Sequence, residues 1–266
     1  MPNLSAINIY PIKACRGLGA TGAVVKRRGL QGDRRLLIVD PEGQAVTQRD
    51  HAALALVFPD LTDGNLGLSA PGMPAFNQLI ASEGPVQRVT VWDDSGIAAV
   101  DQGDNVAAWF SSYLKAPVRL VYMNAQGVRP VSPKYALQPD DEVSFADGYP
   151  LLIASQESLD DLNGRLETPL PMNRFRPNLV VQGCGPFEED TWKRIRIGEV
   201  EIALVKPCAR CEVTTIDQAA AVRGKEPLTT LATFRRVGGS QVMFGMNAIP
   251  VNEGFLHVGE DVEILA

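Results

Sequence analysis

The sequence predicts a mostly β protein of the α+β kind, built as a barrel or sandwich with a few short helices. Three observations predict it. Apolar residues alternate with polar ones over short runs. Gly, Asp and Pro turns separate those runs closely, which disfavours alternating βα units. Helical periodicity is confined to a few stretches.

The elements follow in chain order. Residues 3 to 9 alternate like a half-buried strand, with Tyr10 after them. "GAVVKR" at 22 to 27, "RRLLIVD" at 34 to 40 and "QAVTQRD" at 44 to 50 read as further strands, parted by "GLQGD" and "DPEGQ". "VQRVTVWDDSGIAAVD" reads as a hairpin turning at Asp93-Asp94-Ser95-Gly96. Val106, Trp109, Phe110, Tyr113 and Leu114 share one helical face, with Asp101 or Asp104 as N-cap and Pro117 beyond the end. The stretch 124 to 148, rich in Pro, Asp and Gln, reads as loop and sets a boundary near residue 120. Leu159, Leu162 and Leu166 mark a second helix, capped by Ser155 and ending near Gly164. A third, short helix runs through "PLTTLATFRR". Val200 to Val205 and Val213 to Ile216 read as strands.

Composition narrows the function classes. A chain of 266 residues with 45% hydrophobic content holds one large domain or two modest ones. A net charge of −6 argues against a general binder of nucleic-acid polymers or anionic membranes. No apolar run approaches the ~20 residues of a membrane span. The N-terminus lacks the charged and apolar regions of a secretory signal, and four cysteines are too few for a disulfide scaffold. A cytoplasmic protein is the expectation.

Chemistry concentrates in "KPCARCEVTTID", residues 206 to 217. Structural zinc needs two more ligands, and Cys15, Cys184, His51 and His257 are isolated in sequence. A thioredoxin-type centre needs its C-x-x-C to open a helix, whereas this pair lies between two strand-like runs. Cysteine as a plain core residue stays open. Against that reading, Pro207 fixes the backbone and Lys206 and Arg210 favour a thiolate, the form that ligates metal or attacks sulfur.

Two basic features accompany the pair. Residues 11 to 36 hold Lys13, Arg16, Lys26, Arg27, Arg28, Arg34 and Arg35 against Asp33 alone. The plain reading is a solvated strand face; the functional one is a site for a small, highly charged anion such as phosphate. In "NRFRPNLVV", Arg174 and Arg176 are two apart and on a strand would point the same way, as a salt-bridged edge or a second clamp on that anion.

Six segments then resemble one family in order: "YPIKACRG", "LQGDRRLLIVD", "RFRPNLVV", "DTWKRIRIGEVEIALVKPCARCEVTTID", "GKEPLTTLATFR" and "FGMNAIPVNEG". Together they resemble the MOSC-domain proteins with a MOSC N-terminal β-barrel domain, whose members include amidoxime-reducing components and bacterial reductases of N-hydroxylated compounds. The resemblance implies an N-terminal β-barrel domain over residues 1–120 packed on a MOSC β-barrel domain over 121–266.

It also implies a cofactor and its ligands. The family binds the molybdenum cofactor, a pterin dithiolene carrying molybdenum and a phosphate, and the second cysteine of the C-x-R-C turn, here Cys211, is the metal ligand and catalytic centre. Lys13, Ala14, Arg34, Arg174, Arg176, Ala209, Arg210 and Asn247 fall at positions expected to contact the cofactor. Cys208 matches the cysteine that is not the ligand. Ala14 stands where relatives often carry serine, and Asn247 replaces the tyrosine of the mitochondrial proteins. The implied reaction is reduction of an N–OH group to N–H, with electrons from a separate ferredoxin- or cytochrome-type donor served by a flavin reductase. No ferredoxin domain and no mitochondrial anchor is expected in this chain. Persulfide carriage on Cys211 and a non-catalytic cofactor-binding module are the alternatives. Pyridoxal phosphate on Lys13 or Lys206 lacks a glycine-rich phosphate loop and an acidic partner for the ring nitrogen.

Overall fold

The computed structural model describes all 266 residues. Nineteen strands and three α-helices make it mostly β. In the first half they are β1 (Asn3–Ile9), β2 (Leu18–Ala20), β3 (Gly22–Lys26), β4 (Gly29–Leu30), β5 (Leu36–Val39), β6 (Phe58–Thr62), β7 (Asn65–Ser69), β8 (Phe76–Leu79), β9 (Val86–Val91), β10 (Asp94–Asp101), α1 (Asp104–Leu114) and β11 (Arg119–Tyr122). In the second half they are β12 (Leu151–Ser155), α2 (Gln156–Asn163), β13 (Leu179–Gln182), β14 (Arg194–Ile197), β15 (Val200–Ala209), α3 (Leu228–Leu231), β16 (Arg236–Val237), β17 (Gln241–Pro250), β18 (Gly254–His257) and β19 (Val262–Ile264).

The largest sheet runs β19-β14-β15-β17-β12-β13-β1-β2, with β16 added on β17. It curls until its ends meet. Leu4 N donates to Glu260 O at 2.9 Å, and Val262 N to Pro2 O at 2.8 Å. Its interior is an apolar core of Leu4, Ile7, Ile153, Leu179, Trp192, Ile195, Ile202 and their neighbours. Strands from the beginning of the chain therefore share a sheet with strands from its end, and β18 pairs β3.

A second sheet, β5-β11-β10-β9, is antiparallel throughout. The run Leu36-Leu37-Ile38-Val39 has no polar residue because both its faces are buried. Leu36 and Ile38 pack towards Trp109 and Phe110 of α1; Leu37 and Val39 pack towards Val89, Val121 and Phe145.

Several local expectations are corrected. The α1 N-cap is Gly103, not an aspartate: Asp101 is drawn into an ion pair with Arg119 and accepts from Gly103 N at 2.7 Å, while Asp104 is already helical. The hairpin turns at Trp92-Asp93, and Gly96 (φ 73°) serves the bulge between Asp94 and Ile97. Residues 44–50 form bridges only at Gln44 and Ala45 and then turn, because the Asp50 carboxylate accepts from Thr47 N at 2.9 Å and Thr47 Oγ1 at 3.1 Å. Residues 213–215 belong to a 3-10 turn over Glu212–Thr215, with Ile216 as its extended C-cap, in which Thr214 and Thr215 hydroxyls bond back to the carbonyls of Cys211 and Glu212. The second helix keeps its expected caps, with Ser155 Oγ accepting from Ser158 N at 3.1 Å and Gly164 as C-cap, but it ends at Asn163, so Leu166 lies beyond it and packs on the same core from the following turn.

Candidate functional site

A cleft enclosing about 120 Å³ lies where the sheets meet. Lys13, Ala14, Arg34, Arg49 and Trp92 line it from the first half, and Asp147, Arg176, Cys208, Arg210, Cys211 and Asn247 from the second. Seven of the nine residues singled out in the sequence thus converge: Lys13, Ala14, Arg34, Arg176, Arg210, Cys211 and Asn247.

Arg34 is held rigidly. Its Nη1 donates to both oxygens of buried Asp33, at 3.0 and 2.7 Å, and to Asn178 Oδ1 at 3.0 Å; its Nη2 donates to Arg176 O at 3.1 Å. Asp33 is fixed in turn by Tyr10 N, which donates at 2.8 Å. The guanidinium carbons of Arg34 and Arg176 lie 4.1 and 4.3 Å from the Tyr10 ring centroid. Arg176, at φ 56°, has neither an ion pair nor a side-chain hydrogen bond, and burial pulls its pKa down. It is a cation held beside the cleft without an anion.

Lys13 is buried and donates to Asp147 Oδ1 at 2.6 Å. Burial lowers its pKa, and Asp147 opposes the shift. Asp147 lies between the cleft walls, yet its side chain is 74% exposed to water there. Enclosure by those walls works against its charge, but Lys13, then Arg34 and Arg49, override it and hold the carboxyl well below the usual range. Exposure screens that pairing, so it is an orienting contact more than a stabilising one.

The cysteine turn is set by β15. Its register against β17 shifts on either side of Pro207, where a residue without an N–H costs no ladder bond. Arg210 Nη1 donates to Cys208 Sγ at 2.9 Å and Nη2 to Phe175 O at 2.7 Å, which ties this turn to the "RFRPN" loop. Cys211 follows as N-cap of a 3-10 turn rather than of an α-helix. All four cysteines are free thiols, and no three His, Cys, Asp or Glu side chains gather into a metal cluster. Burial pushes the Cys15 thiol up to about 12.

Two expected residues lie elsewhere. Arg174 ends a 3-10 turn, not a strand step, so it does not point with Arg176; it pairs with Asp217 at 3.0 Å. Ala209 is an exposed strand residue outside the cleft lining. The basic run also divides. Arg16 lies over the Phe58 ring at 5.4 Å, Lys26 pairs with Glu253, Arg27 with Asp140, Arg28 with Glu142, and Arg35 donates to Met123 O, leaving only Lys13 and Arg34 for the cleft.

Sequence reasoning missed Gln48, Arg49, Trp92 and Asp147. Gln48 and Gln218 exchange reciprocal amide bonds at 3.0 and 2.9 Å, and Gln48 Nε2 donates to Ala14 O at 2.6 Å, which joins three cleft turns. The Thr-x-x-Asp spacing of Thr47 and Asp50 is the local signal that marks 47–50 as a turn able to present side chains.

Residues 1–117 match the MOSC N-terminal beta barrel domain, and residues 140–263 the MOSC domain. Mitochondrial amidoxime-reducing component 1 of Mus musculus is 36% identical over 97% of this chain and 80% of its own length. The chain belongs to the MOSC family. Mitochondrial amidoxime reducing component 2 of Bos taurus is 36% identical over 97% of this chain and 82% of its own. The human component 1 is 34% identical over 97% and 81%.

Proposed function

We propose that this protein is a molybdenum-cofactor-dependent reductase of N-hydroxylated compounds, fed electrons by a separate donor protein of the ferredoxin or cytochrome type with a flavin reductase. The observation that carries the reading is one cleft in which the Cys211 thiol stands among five cationic side chains and a single carboxylate. The similarity to amidoxime-reducing components supports it. A cytoplasmic location suits the four free thiols.

The donor set fits the group. A thiolate is a suitable ligand for a soft, redox-active metal, and Cys211 is the residue assigned to it. Arg176, which lacks an anionic partner, and Lys13 and Arg34 would hold the phosphate and the pterin edge. Arg210 fixes the cysteine turn, and Asn247 on β17 forms a polar wall. When bound, the cofactor supplies two-electron removal of oxygen from the N–OH group. For an amidoxime the balance is R–C(NH2)=NOH + 2 e⁻ + 2 H⁺ → R–C(NH2)=NH + H2O. The donor supplies the electrons and cleft water supplies the protons.

The test uses cofactor-loaded protein with reduced viologen and benzamidoxime. Turnover to benzamidine is expected, lost in Cys211→Ser and retained in measurable part in Cys208→Ser. Turnover with NADH alone is expected to be nil and to return with the donor proteins. A molybdenum-loaded preparation that reduces no N–O compound overturns the reading; equal loss in both cysteine variants favours a two-thiol site.

A further inference from the structure

Asp147 is the only carboxylate that lines the cleft, and half of it is spare. Its Oδ1 accepts from Lys13 Nζ at 2.6 Å and from Trp92 Nε1 at 3.2 Å. Its Oδ2 accepts nothing from the protein, and the side chain is open to the cleft. One oxygen fixes the carboxylate and the other is left for a ligand.

Trp92 stands beside it in an unusual backbone position. It is the first of two residues joining β9 to β10, at φ 56°, where Asn or Gly is the ordinary choice. A bulky residue rarely adopts that conformation. The indole remains 43% exposed at the cleft, and the Arg49 guanidinium carbon lies 4.3 Å from its ring centroid. A flat apolar face is thereby fixed next to a free carboxylate oxygen.

A carboxylate oxygen beside a flat aromatic surface suits a planar ligand with N–H donors along one edge. We infer that Asp147 is a substrate-binding residue that accepts from the N–H edge of planar N-hydroxylated amidines, R–C(NH2)=N–OH, including the cyclic forms in N-hydroxylated aminopyrimidines and purines, with Trp92 as the wall they lie against. This rests on the reductase reading above. The neutral substrate enters a cleft lined by five cations without charge repulsion. A pterin ring carries a similar amidine edge, so the experiment must separate substrate from cofactor.

Binding is read by calorimetry on oxidised, donor-free, cofactor-loaded full-length protein, with benzamidoxime and its N,N-dimethyl analogue, which lacks the amino N–H donors. The wild type is expected to prefer benzamidoxime by about tenfold or more, the scale of one charge-assisted hydrogen bond. Asp147→Asn, which keeps an acceptor for Lys13, should erase that preference, and Trp92→Ala should weaken both ligands while Trp92→Phe restores them. Equal binding of the two ligands by the wild type overturns the inference, whatever the variants do. So does an Asp147→Asn protein that keeps the preference, or one that is folded but has lost its pterin and molybdenum, since the carboxylate then serves the cofactor. No electrons flow in this experiment, so absence of turnover with reduced viologen strikes the reductase reading alone.

Discussion

Replacing Asn178 by leucine tests whether the cleft is held together by one buried amide. Asn178 is 2% exposed. Its Oδ1 accepts from Arg34 Nη1 at 3.0 Å and Leu152 N at 3.2 Å, and its Nδ2 donates to Asn8 O at 3.2 Å. Three parts of the chain, β1, the Arg34 turn and β12, meet on that side chain. Leucine has similar volume but leaves a guanidinium N–H, a backbone N–H and a carbonyl without their partner. Unpartnered buried groups cost ~1–3 kcal/mol each, offset in part by the added apolar contact, so a net loss of about 3 kcal/mol is expected. With a urea slope of about 3 kcal/mol/M for a chain of this size, the midpoint falls by about 1 M. Asn178→Asp keeps both acceptor contacts but turns a second carboxylate oxygen toward the Asn8 carbonyl and buries a charge beside Asp33, so it too should cost ~1–3 kcal/mol or more. Urea unfolding followed by tryptophan fluorescence gives both numbers. A leucine variant whose midpoint lies within about 0.2 M of wild type refutes the reasoning.

Two further outcomes are expected. Gly29 (φ 98°) presses on the segment after Asp147, and an added Cβ would lie 2.3 Å from Pro150 O; Gly29→Ala should cost on the order of 3 kcal/mol or more, whereas Gly96→Ala (φ 73°, nothing within 4 Å) should cost only ~1–2 kcal/mol, both read by urea midpoint. Burial raises the Glu189 pKa against the hydrogen bonds from Ser158 and Ser155, so its contribution is full below the ordinary glutamate range and is lost as pH rises through the raised folded value. The stability of wild type relative to Glu189→Gln should therefore decline from pH 4 to pH 7 by unfolding titration, and a pH-independent difference would contradict it.

The sequence carried the strand-rich class, the helix of α2 with its Ser155 cap, and the loop between 124 and 148, because alternation and capping are local. It also pointed to most of the cleft. Lys13, Arg34, Arg176 and Cys211 are far apart in the chain yet line one cavity. Direction was harder to read. Arg174 and Arg176 were expected to point together, but that step assumes a strand, and the chain there makes a 3-10 turn followed by a left-handed residue. The β-branched run after Cys211 suggested a strand, yet the hydroxyls of Thr214 and Thr215 close a turn instead. Asp147 and Trp92 were hidden because nothing local marks them; only the Lys13 ion pair and the Trp92-Asp93 turn bring them to the cleft.

The central claim is that the cleft holds molybdenum through Cys211 and its pterin phosphate through the cations around Arg176. Elemental analysis of protein made in a host that synthesises the cofactor tests it most directly. The account predicts one molybdenum per chain in the wild type, and little or none in folded Cys211→Ser and Arg176→Leu. A folded wild-type protein that carries no molybdenum under those conditions, or variants that retain it in full, would contradict the account and move the weight to sulfur transfer on the free Cys211 thiol.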